Sequence, residues 1–535
     1  MSAGAKPYDD RHNGILLLMV LAMTLAAWFF AARMTYSIPK GQFLKAHFYA
    51  LLATPTTIQM WLPPVLAFIW GMAIFLIIVN YTKSGFAGGD FIRRLRGPRM
   101  VSAAALIDLT KERGKKQLTF MGIPIPTLLE TLHFLVTGST GSGKSQIIAD
   151  YIESAHRRGD RTICVDPNGG FMGSFYKEGD YILNPFDQRG QSWSIFNEIR
   201  TPYDVELYAV SLIPKSPSTE QEQWNSMART IVAEVMLKLV KLGRGTTPQL
   251  VYWLVTVSND ELRKMLSDTA AAGMFHGAEE TVGSVRAVLT RYVTPHKYLS
   301  DNVEGEVPFS IRQWLENGSG NLWVTWREDM LPALKPLISC WIDTICASSL
   351  SGDVEDAQHM HLIVDELDSL EKLNYFVQAA TKGRKHLLHL FAGIQSYAQL
   401  KSTNGEDDAL TLRNSLRNSA SMSIAEMDTF TAEEISKGLG EHEVVRKTLT
   451  LAGGTMGTKA SSGTETVAER IVRPSEIHGL PDLTGYLKFA GDIPIARVKM
   501  RYKKRKVVTE PLIVINGVWT NPIESQPRRL FGANT

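Results

Sequence analysis

His133–Ser145 reads HFLVTGSTGSGKS. The stretch opens as an apolar strand. It continues into Gly138, Ser139, Thr140, Gly141, Ser142, Gly143, Lys144 and Ser145, a complete G-x-x-x-x-G-K-[ST] phosphate loop. Its glycines let the backbone wind tightly enough for successive N–H groups to face one anion. All eight residues are therefore candidate nucleotide-binding positions. Lys144 can reach β- and γ-phosphates, and the Ser145 hydroxyl can hold Mg²⁺. The apolar run Ile147, Ile148, Ala149, Tyr151, Ile152 begins a helix whose N-terminal dipole adds positive potential at the same place.

Outward from the loop, Arg161–Val165 reads as a second strand ending at Asp166-Pro-Asn-Gly-Gly170. The resulting strand–helix–strand unit starts a parallel sheet. Tyr181–Asp187 reads as a short strand stopped by Pro185. From Thr201 to Pro295 the pattern turns helical, with Trp224, Met227, Ala228, Ile231, Val232, Val235 and Met236 at three- and four-residue steps. Strand signals return at Asn321–Trp326, Met360–Val364 and His386–Ala392, and more weakly at Ser421–Ala425 and Tyr486–Phe489. A helix is expected over Leu367, Leu370, Leu373 and Phe376. The Gly/Ser/Thr-rich stretch Leu451–Thr466 reads as a mobile loop.

Met360–Val364 ends in Asp365-Glu366. With a phosphate loop upstream, this is the second nucleotide motif: Asp365 in the Mg²⁺ shell and Glu366 polarising an attacking water. Gln395 ends the next strand, where it can touch a γ-phosphate or be an ordinary loop glutamine. Arg384, in Gly383-Arg384-Lys385, reads from the sequence alone as a solvated turn arginine. Lys499–Lys506 (KMRYKKRK) reads as a solvated basic edge rather than a phosphate-contacting patch.

Ahead of all this lie two uncharged apolar stretches, 14–32 and 60–79, each long enough to cross ~30 Å of hydrocarbon as a helix. Pro63 and Pro64 are expected in the first turn of the second. Lys6 and Arg11 precede the first span, and Arg33, Lys40 and Lys45 lie between the two. The cluster Lys83, Arg93, Arg94, Arg96 and Arg99 follows the second, which places both termini and the main domain in the cytoplasm. Ala-Ala-Arg-Met after the first span is a poor cleavage site, against a signal peptide.

Across 535 residues the formal net charge is only +3, so any nucleic-acid surface must be local. Cys164, Cys340 and Cys346 form neither a disulfide framework nor a C-x-x-C metal site.

The assembled motifs resemble the type IV coupling proteins of bacterial conjugation and type IV secretion (the TraD/TrwB type). The resemblance runs nearly end to end: two spans, GSTGSGKS, VDPNGG, ILNPFD, a helical insertion, HLIVDEL, GRKHLLHLFAGIQS and ISKGLGEHEV. It implies an α/β, RecA-like P-loop NTPase domain (100–200 and 296–535) with an inserted all-α domain (201–295), preceded by a membrane region (1–99). It also implies a homohexamer below the inner membrane that hydrolyses ATP with Mg²⁺ to move single-stranded DNA, bound to a relaxase, toward the channel proteins of a type IV secretion system. By the same resemblance, Gln395 becomes a γ-phosphate sensor and Arg384 an arginine supplied in trans, which reverses the reading from the turn alone. A relative that recruits effector proteins, and a structural receptor that binds nucleotide without turnover, are the alternatives.

Overall fold

A computed structural model describes residues 11–36, 43–83, 93–276, 279–299, 308–355, 358–454 and 457–515. Lys6 and Lys40, used above for orientation, lie outside the described residues. Contacts divide the chain into two compact units, Met1–Gly97 with Glu441–Val472, and Pro98–Gly440 with Arg473–Thr535.

In the first unit, the helices Arg11–Tyr36 and Ile58–Lys83 contain Leu18–Thr35 and Ile58–Phe75, each long and apolar enough to cross a membrane. Leu18, Phe30, Ile69 and Trp70 stand exposed on them, an arrangement suited to lipid rather than water. The second helix starts earlier than expected. Pro63 and Pro64 therefore fall inside it rather than in its first turn, where each removes a backbone hydrogen bond. A further helix, Phe43–Ala53, occupies the expected loop, and the Trp28 indole N–H donates to Thr54 Oγ1 at 2.9 Å beside it.

The same unit holds a three-stranded sheet of Arg93–Arg96, Glu441–Gly454 and Gly457–Arg470. This corrects the expected loop at Leu451–Thr466: the segment is the outer part of an antiparallel hairpin, in register from Glu441↔Arg470 to Gly454↔Gly457. Its small residues suggest irregular chain. Its threonines nevertheless suit a pleated strand, and the ladder satisfies the backbone groups that a loop would leave to water.

The second unit is built on a ten-stranded sheet. Its order is Met100–Ser102, Ile495–Lys499, Thr484–Lys488, Asn418–Ser421, Phe134–Thr137, Leu388–Ile394, Met360–Val364, Arg161–Pro167, Leu322–Trp326, Tyr181–Leu183. From Asn418–Ser421 to Tyr181–Leu183 the neighbours are parallel; Thr484–Lys488 is antiparallel to both of its neighbours. The central strands Leu388–Ile394, Met360–Val364 and Leu322–Trp326 are buried along their whole length, which explains why they are apolar on both faces apart from His389, His361 and Thr325. One apolar cluster gathers Phe120, Phe134, Tyr151 and Phe391, with Phe120 and Phe134 edge-to-face at 5.2 Å. The other joins Leu322, Val324 and Leu362 to Ile231, Val232 and Val235 of the helix Thr219–Lys241. Among the described residues of 201–295 there is no strand.

The helix Leu331–Ser351 is also long and apolar enough to cross a membrane, but its window is 72% buried, against 17% and 11% for the two N-terminal windows. It is a core helix. Its Asp343 accepts from the N–H groups of Tyr375 (2.6 Å) and Phe376 (3.2 Å), and burial pushes this carboxyl up to about 7.

Other boundaries also differ from expectation: the strand expected at His386–Ala392 is Leu388–Ile394, and the one at Tyr486–Phe489 is Thr484–Lys488. The helix expected over Leu367–Phe376 is a 3₁₀ turn, Leu367–Ser369, followed by the helix Asn374–Lys382. The strand expected at Ser421–Ala425 is Asn418–Ser421, leaving the following residues free of the sheet to brace the phosphate loop.

Candidate nucleotide site

The Phe134–Thr137 strand is buried throughout and delivers the chain into Gly138–Gly143, after which the helix Lys144–Arg158 begins. Gly141 (φ +82°) and Gly143 (φ +112°) take left-handed conformations that a side chain would strain. The loop is fastened from three sides: Gly138 N–H donates to Ile394 O (3.2 Å), Ser139 N–H to Ser423 O (2.9 Å), and Leu483 N–H to Ser142 O (2.9 Å). Its shape is thus set by backbone contacts before any ligand arrives, which limits the ordering cost of binding.

Lys144 is buried, and its ammonium donates to the Gly138 carbonyl at 2.5 Å. Burial lowers its pKa, while Asp365, Glu366 and Asp368 pull the other way. Burial, with help from neighbouring Glu366, pushes the Asp365 carboxyl up to about 6. Asp365 Oδ1 is buried without a hydrogen-bond partner. An orphaned carboxylate oxygen facing a cationic loop, with exposed Ser145 lining the same cleft, fits an Mg²⁺ shell.

Glu366 is half-buried. Its Oε1 accepts from Gln395 Nε2 at 2.9 Å, and Thr140 Oγ1 donates to Gln395 Oε1 at 3.4 Å. The strand carrying Gln395 lies between those carrying the phosphate loop and the acidic pair, so all three reach the same C-terminal edge of the sheet. Of the residues singled out in the sequence, Gly138–Ser145, Asp365, Glu366 and Gln395 come together. Arg384 does not: it is exposed in the turn Gly383–His386, before the strand whose far end leads to Gln395. A seven-residue strand spans roughly 23 Å, so this arginine stands away from the loop of its own chain.

Three further features belong to the site. Asp368 accepts from the N–H groups of Gln395 (2.9 Å) and Ser396 (3.2 Å), fixing the end of that strand; its only sequence signal is a carboxyl in the turn just after the acidic pair. Buried Asp166 accepts from Met172 N–H at 2.7 Å, and burial pushes it up to about 7. Most of the basic run at 499–506 is solvated as expected, with Lys499, Arg501, Lys504 and Lys506 exposed, but Lys503 and Arg505 are ion-paired and Arg505 is largely covered. Lys503 Nζ meets Glu153 at 2.5 and 2.7 Å, and Arg505 pairs with Asp150, both partners on the Lys144–Arg158 helix. Two clefts open at the loop. One, of about 380 Å³, is bounded by Thr140, Lys144, Ser145, Glu366 and Tyr502. The other, of about 390 Å³, is bounded by Ser145, Asp166, Phe171, Phe175 and Tyr502.

Gly393 also shapes the site, with no signal of its own in the sequence. A Cβ there would lie 2.1 Å from the Asp365 carbonyl oxygen, so the strand ends can approach only because the position is glycine. Gly393→Ala is expected to push the acidic pair out of place and cost roughly 1–3 kcal/mol in thermal or denaturant unfolding. Unchanged unfolding together with full nucleotide affinity would contradict this.

Comparison with known proteins bears on the same region. Residues 117–501 match the family model described as the type IV secretion-system coupling protein DNA-binding domain. The coupling protein TraD of Escherichia coli (strain K12) is 30% identical over 473 residues, covering 85% of this chain; the chain spans 65% of that relative's length. Among solved structures, the plasmid coupling protein TrwB in complex with ADP and Mg²⁺ is 41% identical. It has a TM-score of 0.74 and covers 80% of this chain and 99% of that one. TrwB with a non-hydrolysable ATP analogue covers 80% and 98%, at 41% identity and a TM-score of 0.73. The ten-stranded sheet and its loop are thus a P-loop NTPase fold of the TrwB kind.

Proposed function

Since the chain belongs to the coupling proteins of type IV secretion systems, we propose that it is an inner-membrane ATPase that moves single-stranded DNA, with its relaxase, into a secretion channel during conjugation. One observation carries the catalytic part of this reading: Thr140, Gln395 and Glu366 form one hydrogen-bonded chain beside the phosphate loop. Such a chain ties the presence of a γ-phosphate to the position of the residue that handles water.

In this reading the loop N–H groups and Lys144 hold the phosphates of ATP, in keeping with the ADP and ATP-analogue complexes of TrwB. Ser145 and Asp365 hold Mg²⁺, which neutralises charge on the β- and γ-oxygens. Glu366 orients the attacking water and takes its proton. Gln395 loses one partner when the γ-phosphate leaves and passes that change to the strand fixed by Asp368. Residues 201–295 form the inserted all-α domain of a RecA-like unit made of 100–200 and 296–535. The region 1–99 anchors it with two spans, both termini facing the cytoplasm, as the arginines after the second span favour.

The position of Arg384, exposed and far from its own loop, supports a homohexamer in which it reaches the γ-phosphate of a neighbour. Arg384→Ala and Lys144→Ala chains are each expected to be inactive alone. Mixed in one membrane, they are expected to regain ATP hydrolysis at interfaces that pair an intact lysine with an intact arginine. Mixtures as inactive as either parent would overturn the trans role.

A further inference from the structure

Residues 502–505 border the clefts at the phosphate loop, and the contacts that hold the segment 501–515 are specific. Met500 N–H donates to Leu483 O (2.8 Å), and Leu483 N–H donates to Ser142 O, so the segment is tied by backbone to the phosphate loop. Gln146, in the first turn of the loop's helix, accepts from Lys503 N–H (3.2 Å) and from Arg505 Nη1 (3.1 Å) through one oxygen. The Arg505 side chain is only 10% exposed; it pairs with Asp150 and Glu153 and lies 5.6 Å from the Phe175 ring. Farther on, Val508 N–H donates to Gly173 O (2.7 Å) and Ile513 O accepts from Gln188 N–H (2.7 Å).

Between these ties Tyr502 is left 68% exposed, and among the described residues no ring or cation stacks on it. It borders both clefts, as do Ser145 and Gln146, whose N–H groups open the helix that receives the phosphates. The γ end of the site is taken by Thr140, Glu366 and Gln395. The ribose and base must therefore leave past Ser145 and Gln146, toward Tyr502. A bare aromatic face held at that exit matches the π-face of a purine.

We propose that Tyr502 is the stacking platform for the nucleotide's purine base and that Arg505 is a positioning residue that holds it there through Gln146 and the Lys144–Arg158 helix. The inference rests on the nucleotide-binding reading above. Stacking uses the face of the base and not its edge, so adenine and guanine nucleotides depend on Tyr502 alike.

The test is equilibrium binding of ADP, GDP and base-free inorganic triphosphate to the full-length chain in lipid nanodiscs. Tyr502→Ala is expected to weaken ADP and GDP together by about 10- to 100-fold, leaving triphosphate unchanged. Tyr502→Phe keeps wild-type affinity for all three. Arg505→Ala shows the same base-dependent loss in smaller measure, and Arg505→Lys recovers part of it. Equal losses of ADP and triphosphate in Tyr502→Ala, or an unchanged ADP affinity, overturn the platform. Wild-type protein that binds neither ADP nor triphosphate overturns the nucleotide reading itself, and the platform with it.

Discussion

Lys144→Ala is expected to lower ATP hydrolysis at least 100-fold and to abolish DNA transfer between cells, while the protein stays folded. The ammonium is the buried cation of the loop, donating to Gly138 O and facing Asp365, Glu366 and Asp368. With ATP bound it moves from that carbonyl to the phosphates, where a fixed cation in a water-poor cleft stabilises the charge that develops on transfer. Loss of a single such donor typically costs about 10²–10³ in rate. Stability should change little, because Lys144 makes one hydrogen bond and the loop is held by Ile394, Ser423 and Leu483 independently. Hydrolysis, nucleotide affinity and mating frequency read the outcome, with circular dichroism confirming the fold. Undiminished transfer by this variant would remove ATP turnover from the function.

Glu366→Gln is expected to separate binding from chemistry. The amide has the shape of the carboxylate, and its oxygen can still accept from Gln395 Nε2, so the geometry beside the loop persists. What the proposed mechanism loses is its acceptor for the proton of the attacking water, worth about 10²–10⁴ in rate. The variant should bind ATP as tightly as wild type and hold it unhydrolysed. In mixed rings it should block its neighbours if the subunits act in sequence. Turnover within threefold of wild type would assign the water-handling role elsewhere, and a parallel loss of ATP affinity would mean that Glu366 helps to build the site.

How much of this was visible in the sequence follows from how local each feature is. The phosphate loop and the acidic pair are contiguous strings whose chemistry requires fixed spacing, and the buried parallel strands announce themselves as mostly apolar runs with no alternation. Gln395 was placeable because it ends the strand after the acidic pair, and the sheet order then brings it beside Thr140. The features that escaped depend on contacts across the chain. Arg505 reads as solvated because its partners, Asp150 and Glu153, lie some 350 positions away. Gly393 looks like an ordinary small residue until the Asp365 carbonyl is seen against it. The hairpin Glu441–Arg470 was hidden by its glycines and serines, whose composition resembles a loop although their register is that of a ladder. Asp368 carries no motif; its role exists only because two N–H groups at the neighbouring strand end need an acceptor.

ATP hydrolysis by the full-length chain in lipid, measured with and without single-stranded DNA over a range of protein concentrations, bears most directly on the proposed DNA-pumping function. The expected result is strong stimulation by DNA, falling steeply with added salt, and a rate that rises faster than linearly with protein concentration as sites complete between subunits. A rate indifferent to DNA and strictly proportional to protein concentration would contradict both the pump and the ring.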